Sequence, residues 1–363
     1  MKKDILIIGS NPNNEKINHP GGQLTAMTNL IEYMETHDIS YDVIDMFRSS
    51  FPPKSGKEKL LESWDKYKEL RMALKTNTYK GGLVFASYGL GFWEKLFFSL
   101  TMEKKGIKTL FFIRSGHFMQ SVIDKNYIVP FKKYFMNKLS YIGYQGGKWE
   151  EFYTKVGIED KKLIKILNWI KIPQYKIKTF SSTPTFLYVG WMVEKKGVIE
   201  LIDTILRHKE LSKYKFIFVG GGTLVEELTK KVELASARNI TFTGWLDSSL
   251  VGEFYEEADV LVLPSHAEGF PNAILEALSY QLPIIATDVG GVSESVIDGY
   301  NGFLVSPRNE EKLYQAIKNL GNSLDLRREF SKNSQAILEK NHAIDVNCQK
   351  IFDLYNISIK NKQ

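Results

Sequence analysis

The stretch "PSHAEGFPNAILEALSY", residues 264–280, sets two carboxylates eight positions apart, Glu268 before a helix start and Glu276 about a turn beyond it. "ADVLVLP" ahead of it reads as a buried strand, and "NAILEALSY" as a helix turning Ile274, Leu275 and Leu278 inward. Pro271 suits the first helical turn. The open N–H groups and dipole of such a helix start favour a phosphate, and in an open α/β sheet ligands gather where this loop lies. Two acids beside an anion would repel it unless they accept hydrogen bonds from sugar hydroxyls. A nucleotide sugar supplies such hydroxyls on both sides of its diphosphate. The plainer reading makes Glu268 a helix cap and Glu276 an exposed helix residue.

A second candidate is "YVGWMVEKKGVIELI", residues 188–202, where Lys196 and Gly197 stand at the mouth of a helix and suit a phosphate as a point charge. "FVGGGT", residues 218–223, places three glycines after a strand, which suggests close approach of backbone to a ligand. There is no Asp-x-Asp, no Gly-x-Ser-x-Gly, no Gly-x-Gly-x-x-Gly after the first strand, and the six histidines lack metal-ligand spacing. No metal and no cofactor are expected.

These loops need strands and helices to hold them. In the first half, "DILIIG", "SYDVID", "GGLVFAS", "KTLFFI" and "LSYIGY" read as strands, separated by helical spacing at 24–36, 57–77 and 90–104. The second half repeats the pattern with "TFLYVG", "KFIFVG", "ITFTG", "DVLVLP", "PIIAT" and "GFLV". Alternation of this kind predicts parallel sheets covered on both faces. At 363 residues two domains are expected, joined near "KIPQYKIKTFSSTPT", residues 171–185. The expected units are 1–172, joined by a C-terminal helix within 343–363, and 173–342. That last helix, over about 343–357, is a candidate to pack back across the cleft between them.

Charge is uneven. The chain carries a net +6, and residues 1–172 hold 27 Lys and Arg against 18 Asp and Glu, so the basic surface belongs to the first half. Residues 95–148 hold ten Lys and Arg against Glu103 and Asp124, with Phe97, Phe98, Tyr127, Phe131, Tyr134, Phe135 and Tyr141 interleaved. "YIVPFKKYFMNKL" mixes cations and large apolar groups as interfacial helices do, which makes an anionic membrane surface a candidate partner. Nucleic acid is not expected. The opening "MKKDILIIGSN" reads as a first strand rather than a signal peptide, and no run approaches the length of a transmembrane helix. The single cysteine, Cys348, fits a reducing compartment.

"EGFPNAILEALSYQLPIIATDVGGVSESVIDGYNGFLV" resembles the signature of retaining, nucleotide-sugar-dependent glycosyltransferases of family 4, the group 1 glycosyltransferases of GT-B fold. The resemblance implies two Rossmann-like domains facing across a cleft, the first binding acceptor and the second the nucleotide sugar. It implies that Glu268 contacts the donor sugar, Glu276 holds the ribose hydroxyls, and the backbone of Gly269, Phe270 and Asn272 receives the distal phosphate. The family's phosphate loop pairs an arginine with the lysine-glycine. Lys196 and Gly197 match, whereas Trp191 stands where the arginine is expected, so Arg114 of the first half is a candidate substitute. "FTGWL", residues 242–246, resembles the segment whose backbone faces the base, although a strand end with a buried tryptophan reads nearly as well.

In the first half, Gly21 and Gly22 of "NHPGGQLTAMTNL" resemble the glycine loop that closes over the donor phosphates, and His117 of "FFIRSGHF" resembles a histidine near the reacting carbon. A packed structural histidine is the alternative. Together these imply a metal-independent hexosyltransferase with Glu268, Lys196 and His117 as its catalytic group. Its donor would be UDP- or GDP-linked and its acceptor a glycan or polyprenyl-diphosphate-linked saccharide. Its setting would be bacterial surface polysaccharide synthesis (O-antigen, capsule or exopolysaccharide) in the cytoplasm or on the inner face of the cytoplasmic membrane. A nucleotide-sugar epimerase and an inactive glycan-binding relative are the rival readings.

Overall fold

The computed structural model of the chain describes residues 1–14, 22–47, 55–114, 118, 129–175 and 178–359. The chain divides into two compact units, Met1–Lys171 with Ile344–Gln363, and Ile172–Ala343.

In the first unit, β1 (Lys2–Gly9), β2 (Tyr41–Asp45), β3 (Thr78–Ala86), β4 (Thr109–Ile113), β5 (Tyr141–Tyr144) and β6 (Leu163–Lys165) form one parallel sheet. Its order is β2-β1-β3-β4-β5-β6. Strands such as Ile5–Ile8 and Leu110–Ile113 are apolar on both sides and fully buried, as a sheet covered on both faces requires. On one face α2 (Gly56–Thr76), α3 (Leu90–Glu103), α4 (Val129–Met136) and α5 (Gly147–Val156) share a core with Leu6, Ile8, Val84 and Phe111. On the other, α1 (Gly22–Thr36) and the C-terminal helix (Ile344–Asp353) pack on Ile5, Ile7, Leu83 and Phe112.

The start of α2 is fixed by a reciprocal cap. Ser55 Oγ accepts from Glu58 N–H while the Glu58 carboxylate accepts from Ser55 N–H at 2.7 Å.

The C-terminal helix is shorter than the spacing suggested and is part of the first unit. Ile344 N–H donates to the Ile170 carbonyl at 3.1 Å, and Asn347 Oδ1 accepts from Leu167 N–H at 3.0 Å. Tyr355 beyond it donates to the Gly82 carbonyl at 2.7 Å, its ring lying where a Cβ on Gly81 would stand.

In the second unit β7 (Thr185–Val189), β8 (Lys215–Val219), β9 (Ile240–Gly244), β10 (Val260–Leu263), β11 (Ile284–Thr287) and β12 (Gly302–Val305) form a parallel sheet in the order β12-β11-β10-β7-β8-β9. Its helices are α6 (Val198–Arg207), α7 (Val225–Leu234), α8 (Ser248–Glu257), α9 (Asn272–Ser279), α10 (Glu310–Asn322) and α11 (Leu324–Ile337). From β7 the chain builds outward through β8 and β9, then returns to place β10 on β7's other side. The loops after β7 and β10 therefore leave neighbouring strand ends in opposite directions, and the crevice they open is where such sheets take ligands.

Two further features depart from the sequence reading. The short strand β6 was not expected, since "LIK" offers too little alternation to mark it. Of the cations expected on the basic surface, Lys95 and Lys132 are buried, the latter with Nζ 4.9 Å from the Phe118 ring centre and 5.4 Å from that of Phe92. The mixed cationic and aromatic pattern of α4 thus divides between core and surface.

Candidate active site

The loops after β7 and β10 bring two of the expected residues into contact. Lys196 Nζ donates to Glu268 Oε1 at 2.6 Å, and the two side chains are only 20% and 9% exposed. Ser265 Oγ donates to the same Oε1 at 2.6 Å. Ser265 is fixed in turn by Thr287 at the end of β11, whose hydroxyl donates to the Ser265 carbonyl. Glu268 therefore does not cap a helix. The helix α9 begins at Asn272, as read from the sequence, with Pro271 as its N-cap just ahead of the first turn, and no side chain caps it. Ile274 N–H donates to the Pro271 carbonyl at 3.1 Å, and the N–H groups of Asn272 and Ala273 ahead of it lie before the first intrahelical bond, where an anion can meet them.

Glycines let these loops converge. Gly197 takes a left-handed φ of 66°, and a Cβ there would lie 1.9 Å from the Pro264 carbonyl oxygen. Gly290, with φ 56°, would place a Cβ 2.1 Å from the Glu268 carbonyl oxygen, and Gly291 N–H donates to the Gly269 carbonyl at 2.8 Å. His266 N–H donates to the Lys195 carbonyl at 2.9 Å, and His266 Nε2 stands 2.7 Å from Glu200 Oε1. Three loop segments from neighbouring strands are thus pinned around the Lys196–Glu268 pair. The requirement for glycine at 290 has its physical cause here.

Glu276, on α9, accepts from the Tyr255 hydroxyl at 2.8 Å. Tyr255 lies on α8, stacks on Tyr280 at 5.4 Å between ring centres, and nothing in its sequence surroundings marked it. Burial pushes the Glu276 carboxyl above its ordinary range, partly offset by the Tyr255 hydrogen bond. Burial and the nearby Glu276 charge push the Tyr255 phenol well up, so it acts as a donor.

The glycines of "FVGGGT" have a different explanation from the one expected. A Cβ on Gly220 would lie 2.1 Å from the Gly190 carbonyl oxygen, one on Gly222 2.4 Å from the Met192 carbonyl oxygen, and one on Gly221 2.2 Å from Trp245 Nε1. They admit a neighbouring loop and an indole, and the run is accounted for without a ligand. Trp245 is not buried. It is 57% exposed and meets Trp191, 58% exposed, edge to face at 5.2 Å. The position expected to carry a cation therefore presents one side of an open aromatic pair. Trp191 is anchored through its carbonyl, which accepts from the Tyr188 hydroxyl at 2.9 Å.

In the first unit Arg114 follows β4, with its guanidinium carbon 5.2–5.7 Å from the ring centres of Phe85, Phe112 and Trp169. Nη2 donates to Asn168 Oδ1 at 2.5 Å, while Nη1 is buried without a hydrogen-bond partner. Burial pushes its pKa down to about 9. Gly22 opens α1. Gly21 and His117 lie outside the described residues. Among the described residues no group of three or more His, Cys, Asp or Glu could hold a metal ion.

The segment that carries these residues has known relatives. Residues 183–323, which include Lys196, Glu268 and Glu276, match the family model of the glycosyl transferases group 1. The chain is 35% identical over 154 residues to an uncharacterized glycosyltransferase of Methanocaldococcus jannaschii, covering 42% of this chain and 43% of that one. It is 36% identical to a putative teichuronic acid biosynthesis glycosyltransferase of Bacillus subtilis, over 36% of this chain and 31% of that one. A capsular polysaccharide biosynthesis glycosyltransferase of Staphylococcus aureus is 25% identical over 62% of this chain and 57% of its own. The matches thus span between about a third and three fifths of these relatives' lengths.

Among solved structures, sucrose-phosphate synthase from Thermosynechococcus elongatus superposes with a TM-score of 0.73 at 17% identity, covering 98% of both chains. An Anabaena protein in complex with UDP gives 0.72 at 16% identity, over 98% of this chain and 100% of that one. The chain has the GT-B fold, and its segment 183–323, which carries the Lys196–Glu268 pair, is a group 1 glycosyltransferase match.

Proposed function

We propose that the chain is a retaining glycosyltransferase of family 4 that moves a hexose from a UDP- or GDP-linked donor to a glycan or polyprenyl-diphosphate-linked saccharide. Bacterial surface polysaccharide synthesis is its proposed setting, in keeping with the teichuronic acid and capsular relatives. The observation that carries the reading is the Lys196–Glu268 contact beside the uncapped start of α9. One cation, one sugar-competent carboxylate and a set of open N–H groups meet at the switch point of a parallel sheet. That is the equipment for a diphosphate with a sugar attached.

In this reading Lys196 and the first N–H groups of α9 stabilise charge on the departing diphosphate. Glu268 accepts from hydroxyls of the transferred sugar, and Glu276, held by Tyr255, accepts from the ribose. The bond from the anomeric carbon to the diphosphate oxygen breaks as the acceptor oxygen bonds on the same face. The acceptor's proton passes to a diphosphate oxygen, so no protein base is needed. Arg114 remains the proposed replacement for the cation absent at 191, and Gly21, Gly22 and His117 the proposed contribution of the first unit.

The test is product analysis by NMR with donor, with and without acceptor, in excess chelator. Acceptor-dependent formation of a glycoside with the donor's anomeric configuration is expected. Free isomerised sugar made without acceptor would establish an epimerase. Inversion, or activity lost to chelator and restored by a divalent ion, would refute the leaving-group account.

A further inference from the structure

The first unit carries an outward face that its own core does not use. Helices α2, α3 and α4 all lie on one side of the sheet, sharing the cluster that contains Leu70, Phe92 and Met136. A surface helix ordinarily turns one apolar stripe inward and a polar face out. Here α2 buries Leu70 yet exposes Leu60, Leu61 and Trp64 at 72%, 64% and 55%. On α3 Phe97 is 52% exposed, and on α4 Phe131 and Tyr134 are each 57% exposed.

Ring contacts gather these positions into two groups, which meet on α3 because Trp93 and Phe97 stand four residues apart on that helix. Trp64 meets Tyr67 at 5.7 Å and Tyr67 meets Phe97 at 5.0 Å, while Trp93 of α3 meets Phe131 at 5.5 Å. Large apolar groups gathered this way on a water-facing side mark an interaction surface.

Its charge identifies the partner. Residues 56–76, 90–108 and 129–140 hold thirteen Lys and Arg against six Asp and Glu, an excess of seven, or of five once the two buried lysines are set aside. Lys95 and Lys132 are spent in the core, but Lys57, Lys59, Lys104, Lys105, Lys133 and Lys138 are exposed. All but one of the thirteen cations are lysines, whose long stems let the ammonium reach past neighbouring apolar groups. Exposed leucines have no use against a nucleic-acid backbone. Exposed aromatic and aliphatic groups with an excess of exposed lysines on the same helices suit the boundary between acyl chains and anionic headgroups. No helix among the described residues is long and apolar enough to cross a membrane, so the contact is a surface one.

We propose that the exposed face of α2, α3 and α4 docks on an anionic lipid bilayer, with Leu61, Trp64, Phe97 and Phe131 entering the headgroup region and the surrounding lysines holding its phosphates. The surface is wider than the 95–148 segment suggested by sequence, because α2 supplies its most exposed apolar residues. The inference is independent of the glycosyltransferase reading.

The experiment is co-sedimentation with vesicles of phosphatidylglycerol and phosphatidylcholine, and of phosphatidylcholine alone, at low and high salt. Wild-type protein should bind the anionic vesicles at low salt and lose about tenfold or more in affinity at high salt or on neutral vesicles. Leu61→Ser/Trp64→Ser/Phe131→Ser and Lys104→Glu/Lys105→Glu/Lys133→Glu should each lower binding by about tenfold or more. Both should melt cooperatively within a few degrees of wild type, which shows that they fold. Absence of wild-type binding at low salt, or full binding by both variants, overturns the proposal. So would a dimer, seen by light scattering and broken by the apolar variant, in protein that ignores vesicles.

Discussion

Replacing Glu268 by Gln removes one charge and leaves the shape almost unchanged. The consequence can be worked from the contacts at Oε1. That oxygen accepts from both Lys196 and Ser265 at 2.6 Å, with the glutamate 9% and the lysine 20% exposed. A hydrogen bond between charged partners contributes about 1.5–3 kcal/mol. If Lys196 must turn toward an arriving diphosphate, that contribution opposes binding, and Glu268→Gln removes the opposition. Free UDP or GDP should then bind about tenfold tighter or more. The intact nucleotide sugar should gain much less, because the same carboxylate is assigned to the sugar's hydroxyls, and turnover should fall. Calorimetric titration of the wild type and the variant with a nucleoside diphosphate and its sugar reads both quantities. Equal weakening of the two ligands would show that Lys196 does not exchange partners. Unchanged affinity for both would place the pair outside the donor site.

Three further outcomes follow from the same geometry. Burial raises the Glu276 carboxyl above its unfolded value, so the stability it contributes is present below the unfolded pKa and lost as pH rises through the folded one. Glu276→Gln should therefore raise the melting temperature at neutral pH yet weaken donor binding by about 1.5–3 kcal/mol, and lower stability there would contradict the sign. Gly290→Ala must place an L side chain at a φ of 56° and push against the Glu268 carbonyl, whereas Gly299→Ala, at 70°, meets open space. Gly299→Ala should lose about 1–2 kcal/mol of stability, Gly290→Ala more than that, and only Gly290→Ala should also lose most of its turnover, measured by denaturant melts and initial rates. Arg114→Met keeps packing against Phe85, Phe112 and Trp169 but deletes the charge, so turnover should drop about tenfold or more with a modest change in melting temperature. Near-normal turnover would leave Arg114 a structural cation.

Much of this was legible in sequence because buried parallel strands are short apolar runs and their helices repeat every three to four residues. Both sheets could be read on those terms, apart from β6, whose three residues carry no usable pattern. The candidate site was legible where a residue type meets a strand end, as with Lys196 and Glu268. Their contact was not, since it depends on β10 pairing with β7, a long-range event that local pattern does not encode. Tyr255 was invisible for the same reason, because α8 and α9 meet only in the fold. The glycines at 220–222 were seen but their packing role was not, since a glycine that admits an indole and one that admits a phosphate look alike in sequence. Trp245 was read either as part of a base-facing segment or as buried, and it stays exposed over a glycine. Gly21 and His117 lie outside the described residues, so the first unit's share of the chemistry rests on Arg114 and on the resemblance.

The central claim is that the second unit binds a nucleoside diphosphate sugar through Lys196, Glu268 and Glu276. Its most direct measurement is calorimetric titration of a panel of nucleotide sugars, spanning the common bases and hexoses, into the wild type and Glu276→Ala. The account predicts saturable binding of at least one UDP- or GDP-linked sugar, weakened about tenfold or more by the substitution in protein that remains folded. Binding that is indifferent to Glu276→Ala, or a wild type that binds no member of the panel, would contradict it.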